Sequence, residues 1–478
     1  MHNKILSFII LSSLIIAACT LTRGHLWGDD FASYIMQAES ILSGTTQEFV
    51  EHNSFTMFES SFPIGPVAYP WGYPLILTPI YAIKGNHPLA LKLPGLLFYA
   101  GFLSCLYLLM KNRLTHTENL LLISLFAFNP SLLVFLDSIF SDVPFSFFII
   151  LALLYMMKSK ASRGNNVILG VVLFLAFFLR TSGIILVASI LLYQSIRFFR
   201  ENESRRIILI RSIQSMVAFG TLWLITSFIF PDEQGSYLGQ LSGLTPAVIK
   251  ASISYYFYCF GTFFGDGRTW EILYYIVVIF FFIGVWARYA FDQIFIIFFT
   301  LYIGALLLWP YWQGIRFILP LLPLFIYFAF QGMKFALGKL PTKYVQTGQW
   351  VFYGFWSLII TVFLFSSSAT AYANLQNDRA INGPYHPYSQ EVYKYIRKET
   401  PVDSIVVFFQ PRLMRLMTNR DSIMSVECNR LLKGDYLVLR RKAEEDELQI
   451  QPEDLPTCNL PLNRVFKNRR FFVYKIQK

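Results

Sequence analysis

Charge is scarce in this sequence. Only 14% of its 478 residues are Asp, Glu, Lys or Arg, where a soluble domain carries about 25%. With 55% of the residues hydrophobic, too little polar material is left to cover a water-soluble protein of this length. Acids are rarer than bases, 29 against 40, for a formal net charge of +11. The bases sit in small groups between apolar runs, not in one polar domain, which argues against nucleic acid as a partner. Histidine is rare, six in all, and no His–Asp cluster with metal-ligand spacing stands out. No fixed-period repeat occurs, which excludes a solenoid.

What the chain has instead is long apolar blocks. "ILSFIILSSLIIAACTL", "LGVVLFLAFFL", "ILYYIVVIFFFIGVW", "IFIIFFTLYIGALLLW" and "FILPLLPLFIYFAF" do not alternate and are too long for a soluble core. A bilayer core of about 30 Å needs about 20 such residues per helix, and only helices or closed barrels satisfy the backbone there. The reading is a polytopic α-helical membrane protein of about eleven transmembrane helices. They centre on residues 5–22, 89–110, 118–136, 142–158, 166–179, 181–197, 210–230, 270–287, 292–309, 314–332 and 350–370.

Alternate loops carry the bases: Lys111 and Arg113; Lys158, Lys160 and Arg163; Arg197 to Arg211; Arg288; then Lys334, Lys339 and Lys343. These loops are expected on the cytoplasmic side. That orientation puts the N-terminus inside, and it puts a first external loop, 23–88, and the tail outside. "IIAAC" admits a second reading, a lipoprotein signal cleaved before Cys19. Either way the first loop stays external.

Within that loop, residues 31–44 place Phe31, Tyr34, Ile35, Ala38, Ile41 and Leu42 on one helical face, which suits a helix lying in the membrane interface. Gly44 should stop it. The following "SSFPIGPVAYPWGYPLILTPI" reads as an ordered, non-helical loop. A second external region, 231–269, ends in an aromatic stretch expected at headgroup level. Residues 1–372 form the membrane domain. From 373 to 478 the composition shifts to a small extracytoplasmic α/β domain. There "YSQEVYKYIRKET" reads as an amphipathic helix, "SIVVFF", "DYLVL" and "RFFVYKI" as strands, and "RKAEEDELQ" as a polar helix or loop. Of the five cysteines, Cys19, Cys105 and Cys259 read as packing residues, whereas Cys428 and Cys458 are either bridged or free.

Chemistry concentrates at the external span ends. Asp29 and Asp30 precede the helix at 31–44; one acid would serve as its N-cap, leaving the other unexplained. A carboxylate held at a helix start beside the bilayer is placed as a general base must be. Asp137 and Asp142 lie in the external turn of "FLDSIFSDVPF", Arg180 in "FFLRTSG" and Arg316 in "YWQGIRFILPLLP". Ionised groups at membrane depth cost about 2.5–3.5 kcal/mol on insertion scales and mark functional sites. Structural Asp–Arg pairing is the alternative for each. Arginine holds phosphate bidentately and stays charged. Carboxylates and arginines on one side of a membrane suit transfer of a sugar from a lipid phosphate.

At these residues the chain resembles the GT-C superfamily of membrane glycosyltransferases, especially bacterial members related to protein O-mannosyltransferases and lipid A aminoarabinose transferases. "GDDFASYIMQAESILSG", "YPWGYPLILTPIYAIKG" with "ALKLPGLLFYAGFLSCLYLL", "NPSLLVFLDSIFSDVPFSFFIILALLYMM", "FFLRTSGIIL", "GIRFILPLLPL" and the tail's "FFQPRLMRLMTNR" carry the likeness in order. The resemblance implies an inverting transfer from a polyprenyl-phosphate sugar to an extracytoplasmic lipid, glycan or protein, in the cytoplasmic (inner) membrane. It makes Asp29 the base and Asp30 its helper. It matches Asp142, with Asp137 nearby, to an acidic second-loop site, and Arg180 and Arg316 to donor-phosphate contacts. Some relatives use a divalent metal; no metal ligand is assigned here, and His25 and His87 are expected to be solvated. The rival reading, a transporter or lipid flippase, requires inverted repeats and spans broken near the midplane; the sequence shows no repeat, and its charges sit at one face and not mid-membrane.

Overall fold

The computed structural model describes residues 2–62, 65–157, 162–201, 204–231, 243–442 and 448–477. The chain is a helical membrane bundle capped at one end by a first-loop subdomain and a small mixed sheet. The bundle comprises α1 (His2–Thr20), α5 (Pro88–Met110), α6 (His116–Ala127), α7 (Pro130–Leu136), α8 (Asp142–Met157), α9 (Arg163–Leu179), α10 (Gly183–Arg200) and α11 (Arg205–Ile229). It continues through α12 (Pro246–Thr262), α13 (Arg268–Arg288), α14 (Gln293–Leu307), the short α15 (Ile315–Ile318), α16 (Leu322–Leu337) and α17 (Thr342–Gln376).

Among the described residues, five helices are long and apolar enough to cross a membrane: α5, α10, α11, α13 and α17. The pair α6–α7, bent by 55°, makes a sixth when taken as one span. Five further apolar helices are shorter. The bend falls at Asn129–Pro130: Pro130 opens α7, and the Asn129 side chain accepts from Leu132 N at 3.2 Å. The outer faces carry exposed Phe228, Ile83, Phe365 and Leu97, which is tolerable only against lipid. Tight helix crossing replaces hydrophobic drive inside a membrane. Where α13 meets α16, a Cβ on Gly284 would collide with the Phe328 carbonyl, and one on Gly332 with that of Phe280.

At the end remote from the sheet, Asp292 is buried and takes Arg113 Nε at 2.8 Å, Arg288 Nε at 2.8 Å and the Tyr327 hydroxyl at 2.7 Å. Two of the expected cytoplasmic bases are thus structural partners of one acid.

The first loop folds into α2 (Asp30–Ser43), α3 (Thr46–Glu59) and α4 (Gly72–Lys84). Gly44, in the left-handed region, ends α2 as expected. Two expectations for this loop need correction. Helix α2 does not lie with one face on the membrane interface: Phe31 through Ala38 are all buried, Ser33 and Gln37 included. The stretch read as non-helical contains α4, because Pro74 sits in its first turn, where no intrahelical N–H bond is lost, and Pro79 is accommodated inside. The aromatic stretch of the second external region is likewise helical, within α12.

The C-terminal segment forms α18 (Pro387–Glu399), β1 (Val406–Val407), α19 (Pro411–Thr418), β2 (Ser422–Ile423), α20 (Cys428–Leu431), β3 (Tyr436–Arg440), β4 (Leu462–Lys467) and β5 (Phe471–Ile476). The sheet order is β2-β1-β3-β5-β4. Strands β2, β1 and β3 are parallel, with Val406 opposite Ser422 and Tyr436; β3, β5 and β4 are antiparallel, with Leu437 opposite Tyr474. Cys428 and Cys458 are bridged, with Cα atoms 5.2 Å apart. Most of the run "RKAEEDELQ", 443–447, lies outside the described residues.

The sheet segment shares one hydrophobic core with the first loop. Phe31, Tyr34, Ile35 and Tyr73 pack with Val392, Val406, Leu413, Met414 and Val473. Further ties are Ser61 N to Met424 O at 2.9 Å and Arg430 Nη1 to Ser60 O at 2.8 Å.

Candidate active site

The two adjacent acids part company. At the start of α2, Asp29 and Asp30 lie in sequence but their side chains leave in different directions. Asp30 lines a cavity of about 440 Å³; Asp29 does not. The Asp29 backbone occupies the N-cap position of α2, yet its side chain makes no capping bond there. Its Oδ1 instead accepts from Leu413 N at 3.3 Å, in the first turn of α19. The pair therefore serves two helices. Burial, offset in part by Arg412 and the Leu413 amide, pushes the Asp29 carboxyl up to about 7.

The cavity gathers residues from four places. Asp30 and Tyr34 come from α2, and Gly65, Pro66, Tyr69 and Pro70 from the loop before α4. Leu179 to Ser182, Ile184 and Ile185 come from the α9–α10 turn. Tyr302, Ala305, Leu306, Trp309, Tyr311, Gln313, Arg316 and Phe317 come from the end of α14 and the segment running into α15.

A chain of charge crosses it. Tyr69 Oη donates to Asp30 Oδ1 at 2.5 Å, and Arg316 Nη1 donates to Asp30 Oδ2 at 2.9 Å. Arg316 Nε donates to Asp142 Oδ2 at 3.1 Å, and Arg180 donates to the other Asp142 oxygen. Arg316 also lies 4.1 Å above the Phe140 ring, and Arg180 faces Phe317 at 5.5 Å. Burial alone would raise Asp30, but Arg316 and the Tyr69 hydroxyl outweigh it and hold the carboxyl below the usual range. Burial and the neighbouring Asp30 push Tyr69 well up, so it stays a proton donor. Gln37 fixes Tyr69 by its backbone, accepting from Tyr69 N at 3.2 Å and donating to Tyr69 O at 2.8 Å. Tyr34 reaches Ser141 Oγ at 3.1 Å, beside Asp142.

The structure thus brings together Asp30, Asp142, Arg180 and Arg316 from the sequence-derived set. Asp137 is elsewhere. It takes Lys92 Nζ at 2.6 Å and Thr22 N at 2.6 Å, tying the end of α1 to α5. Lys92 is wholly buried and also donates to the Gly24 carbonyl at 2.8 Å. His25, expected in solvent, is buried: its ring stacks on Phe31 at 3.8 Å, and Nε2 accepts from Ile139 N at 2.9 Å. Burial lowers it to about 3, so it is neutral. His87 is exposed, as expected, and caps α5.

Sequence reasoning missed Tyr69, Tyr34, Gln37, Lys92 and Arg412. The Tyr69 signal was present, an aromatic in a rigid Pro-rich loop, but it was absorbed into the loop assignment.

A divalent cation does not suit this donor set. Asp30 and Asp142 already answer two fixed guanidinium charges, and no group of three His, Cys, Asp or Glu side chains gathers among the described residues.

The fold, a multi-pass helical membrane bundle with a small cap, is similar to that of solved structures at low sequence identity. ArnT from Cupriavidus metallidurans in the apo state superposes with a TM-score of 0.61 at 12% identity, over 98% of this chain and 97% of that one. The same protein bound to undecaprenyl phosphate gives 0.60 at 10% identity, with the same coverage. The Archaeoglobus fulgidus oligosaccharyltransferase, tethered to an acceptor peptide containing the NVT sequon, gives 0.56 at 12%, over 99% of this chain and 74% of that one. No protein-family model matches the chain, and no curated protein matches it significantly.

Proposed function

We propose that the protein is an integral membrane glycosyltransferase that moves a sugar from a polyprenyl-phosphate donor to an extracytoplasmic acceptor, with inversion. The observation that carries this is the cavity itself, which joins an acid–tyrosine pair to two arginines and continues into an apolar wall. Ile184 belongs both to that wall and to the half-exposed outer face of α10. A lipid-borne donor therefore has a route from the bilayer, with its phosphate drawn toward Arg180 and Arg316. The undecaprenyl phosphate bound to ArnT, and a dolichol phosphate complex of the archaeal oligosaccharyltransferase AglB, support a lipid phosphate as the ligand class.

In this reading the acceptor O–H attacks the anomeric carbon. The bond from that carbon to the phosphate oxygen breaks, the acceptor proton passes to a carboxylate, and the lipid phosphate leaves. The arginines stabilise its growing negative charge. We assign the base to Asp30, because it is the acid that faces the cavity. The resemblance had given that role to Asp29, whose proton affinity suits neutral pH better but whose carboxylate is turned to α19. Cys428–Cys458 supports placing the sheet and site in an oxidising, extracytoplasmic compartment.

The test is reconstitution in liposomes with an undecaprenyl-phosphate sugar and an envelope-lipid acceptor fraction. Wild type should release undecaprenyl phosphate and label the acceptor. Asp30→Asn should lose about 10²–10⁴-fold in rate at unchanged abundance, while Asp29→Asn stays within a few-fold. The reverse ranking would return the base to Asp29. Donor movement across the membrane without cleavage would overturn the transferase reading in favour of a flippase.

A further inference from the structure

Arg412, the second residue of α19, is wholly buried although it belongs to the peripheral sheet segment. Its side chain runs to the back of the cavity wall. Nη2 donates to the Pro66 carbonyl and lies 2.9 Å from Met57 Sδ. The guanidinium carbon stands 5.5 Å from the centre of the Tyr69 ring, whose hydroxyl holds Asp30. Gly65 makes this possible. It sits at φ 121°, and a Cβ there would be 3.0 Å from the Tyr69 hydroxyl and 3.4 Å from Arg412 Nη1. Among the described residues, Nε and Nη1 of Arg412 have no hydrogen-bond partner, and no carboxylate pairs with it directly. A buried guanidinium left this way is retained against its desolvation cost. Its compensation is the face of the tyrosine ring and the nearby charge of the acid pair.

We infer that Arg412 is a positioning residue for the proposed transfer: through the Pro66 carbonyl and the Tyr69 ring, the sheet segment holds the tyrosine hydroxyl on Asp30. The inference rests on the transferase reading for its purpose, though not for its geometry. The groups facing Asp30 are Arg316 and Tyr69, with Tyr34 and His25 beyond them and Asp29 beside it on α2. Arg412 acts behind Tyr69. Removing it frees the ring to leave Asp30 and withdraws a positive charge, so Asp30 holds its proton more tightly, as does Asp29, whose chief charged neighbour it is. The Asp30 band is therefore identified separately by its loss in Asp30→Asn.

The experiment has two arms. The first needs no substrate: infrared titration of the carboxylate band that disappears in Asp30→Asn. That band should titrate at a pH higher by about one unit in Arg412→Met than in wild type, and Arg412→Lys should fall between. The second measures transfer from the undecaprenyl-phosphate sugar. Arg412→Met should lower kcat tenfold or more with KM for the donor changed less than twofold, and the acid limb of the rate profile should move upward. Tyr69→Phe should reproduce the kcat loss, and adding Arg412→Met to it should cost little more. An unshifted carboxylate titration, or additive losses, would overturn the inference whatever the protein's activity. A shifted titration in Arg412→Met, found where the wild type neither binds undecaprenyl phosphate nor transfers sugar, would instead sink the proposed function and leave the coupling standing.

Discussion

At the scale of single residues, the central finding is that neighbouring acids have opposite environments. Asp30 is ionised between Tyr69 and Arg316, whereas Asp29 is nearly buried against α19 and pushed up to about 7. A carboxyl whose folded value exceeds its unfolded one contributes stability below the unfolded value and loses it as pH rises through the folded one. The Asp29 contribution should therefore decline from about pH 4 to about pH 7, read as the difference in thermal unfolding in detergent between wild type and Asp29→Asn across that range. His25 works the other way. It is lowered to about 3, so its contribution is complete above the unfolded value near 6.5 and fades as pH falls below it. Asp142 answers two arginines at once, so Asp142→Asn leaves Arg180 without its carboxylate and Arg316 with Asp30 alone. A loss of about 3–5 kcal/mol should appear in urea unfolding, together with weakened binding of undecaprenyl phosphate as the arginines rearrange. Which acid would face the cavity was not legible in the sequence. The direction of each side chain is set by Leu413, 384 residues further on, and by Arg316, 286 residues from Asp30. No local pattern carries that information.

Among the elements, helices were read well where length and composition decide and poorly where packing does. The apolar blocks recur as α1, α5, α8 to α11, α13 and α14 within a few residues, and as α16 and α17 with clearly shifted ends, because a bilayer demands long uninterrupted runs. Helix α4 was hidden by its prolines, and β2, two residues long, is too short to show strand alternation, whereas β1 falls within the expected strand "SIVVFF". Helix α2 looked amphipathic, yet both its faces are covered, one by α4 and the other by α19. At the α13–α16 crossing the backbones touch through Gly284 and Gly332. Gly332→Val must force the helices apart, and a cost of about 1–3 kcal/mol or more should show as a sharp fall in folded yield from membranes. The bridge closes a segment of 30 residues. Cys458→Ser should loosen the sheet segment by about 3–4 kcal/mol on the chain-entropy account, which limited proteolysis would register as earlier cleavage there, while the apolar helices stay intact.

For the molecule as a whole, the membrane bundle and the cap are joined at both ends of the chain. Asn374, near the end of α17, donates to the carbonyls of Cys19 and Leu21 at 2.9 Å, and Arg23 N donates to the Ala380 carbonyl at 2.9 Å. The class of architecture was legible in the sequence, because hydropathy, charge asymmetry and the ordered acid and arginine segments agree. The dependence of the site on the cap was not, since the tail reads as a separate small domain. That dependence has a consequence for biosynthesis. A ribosome delivers Asp30 and Tyr69 early, Arg316 much later and Arg412 later still, so the cavity lining is in place before the residue that braces Tyr69. Assembly must wait for contacts of very long sequence separation. On the transferase reading, a polypeptide stopped after its last span would hold the acids and arginines but lack the buttress behind Tyr69, and should work at least tenfold more slowly than the whole chain.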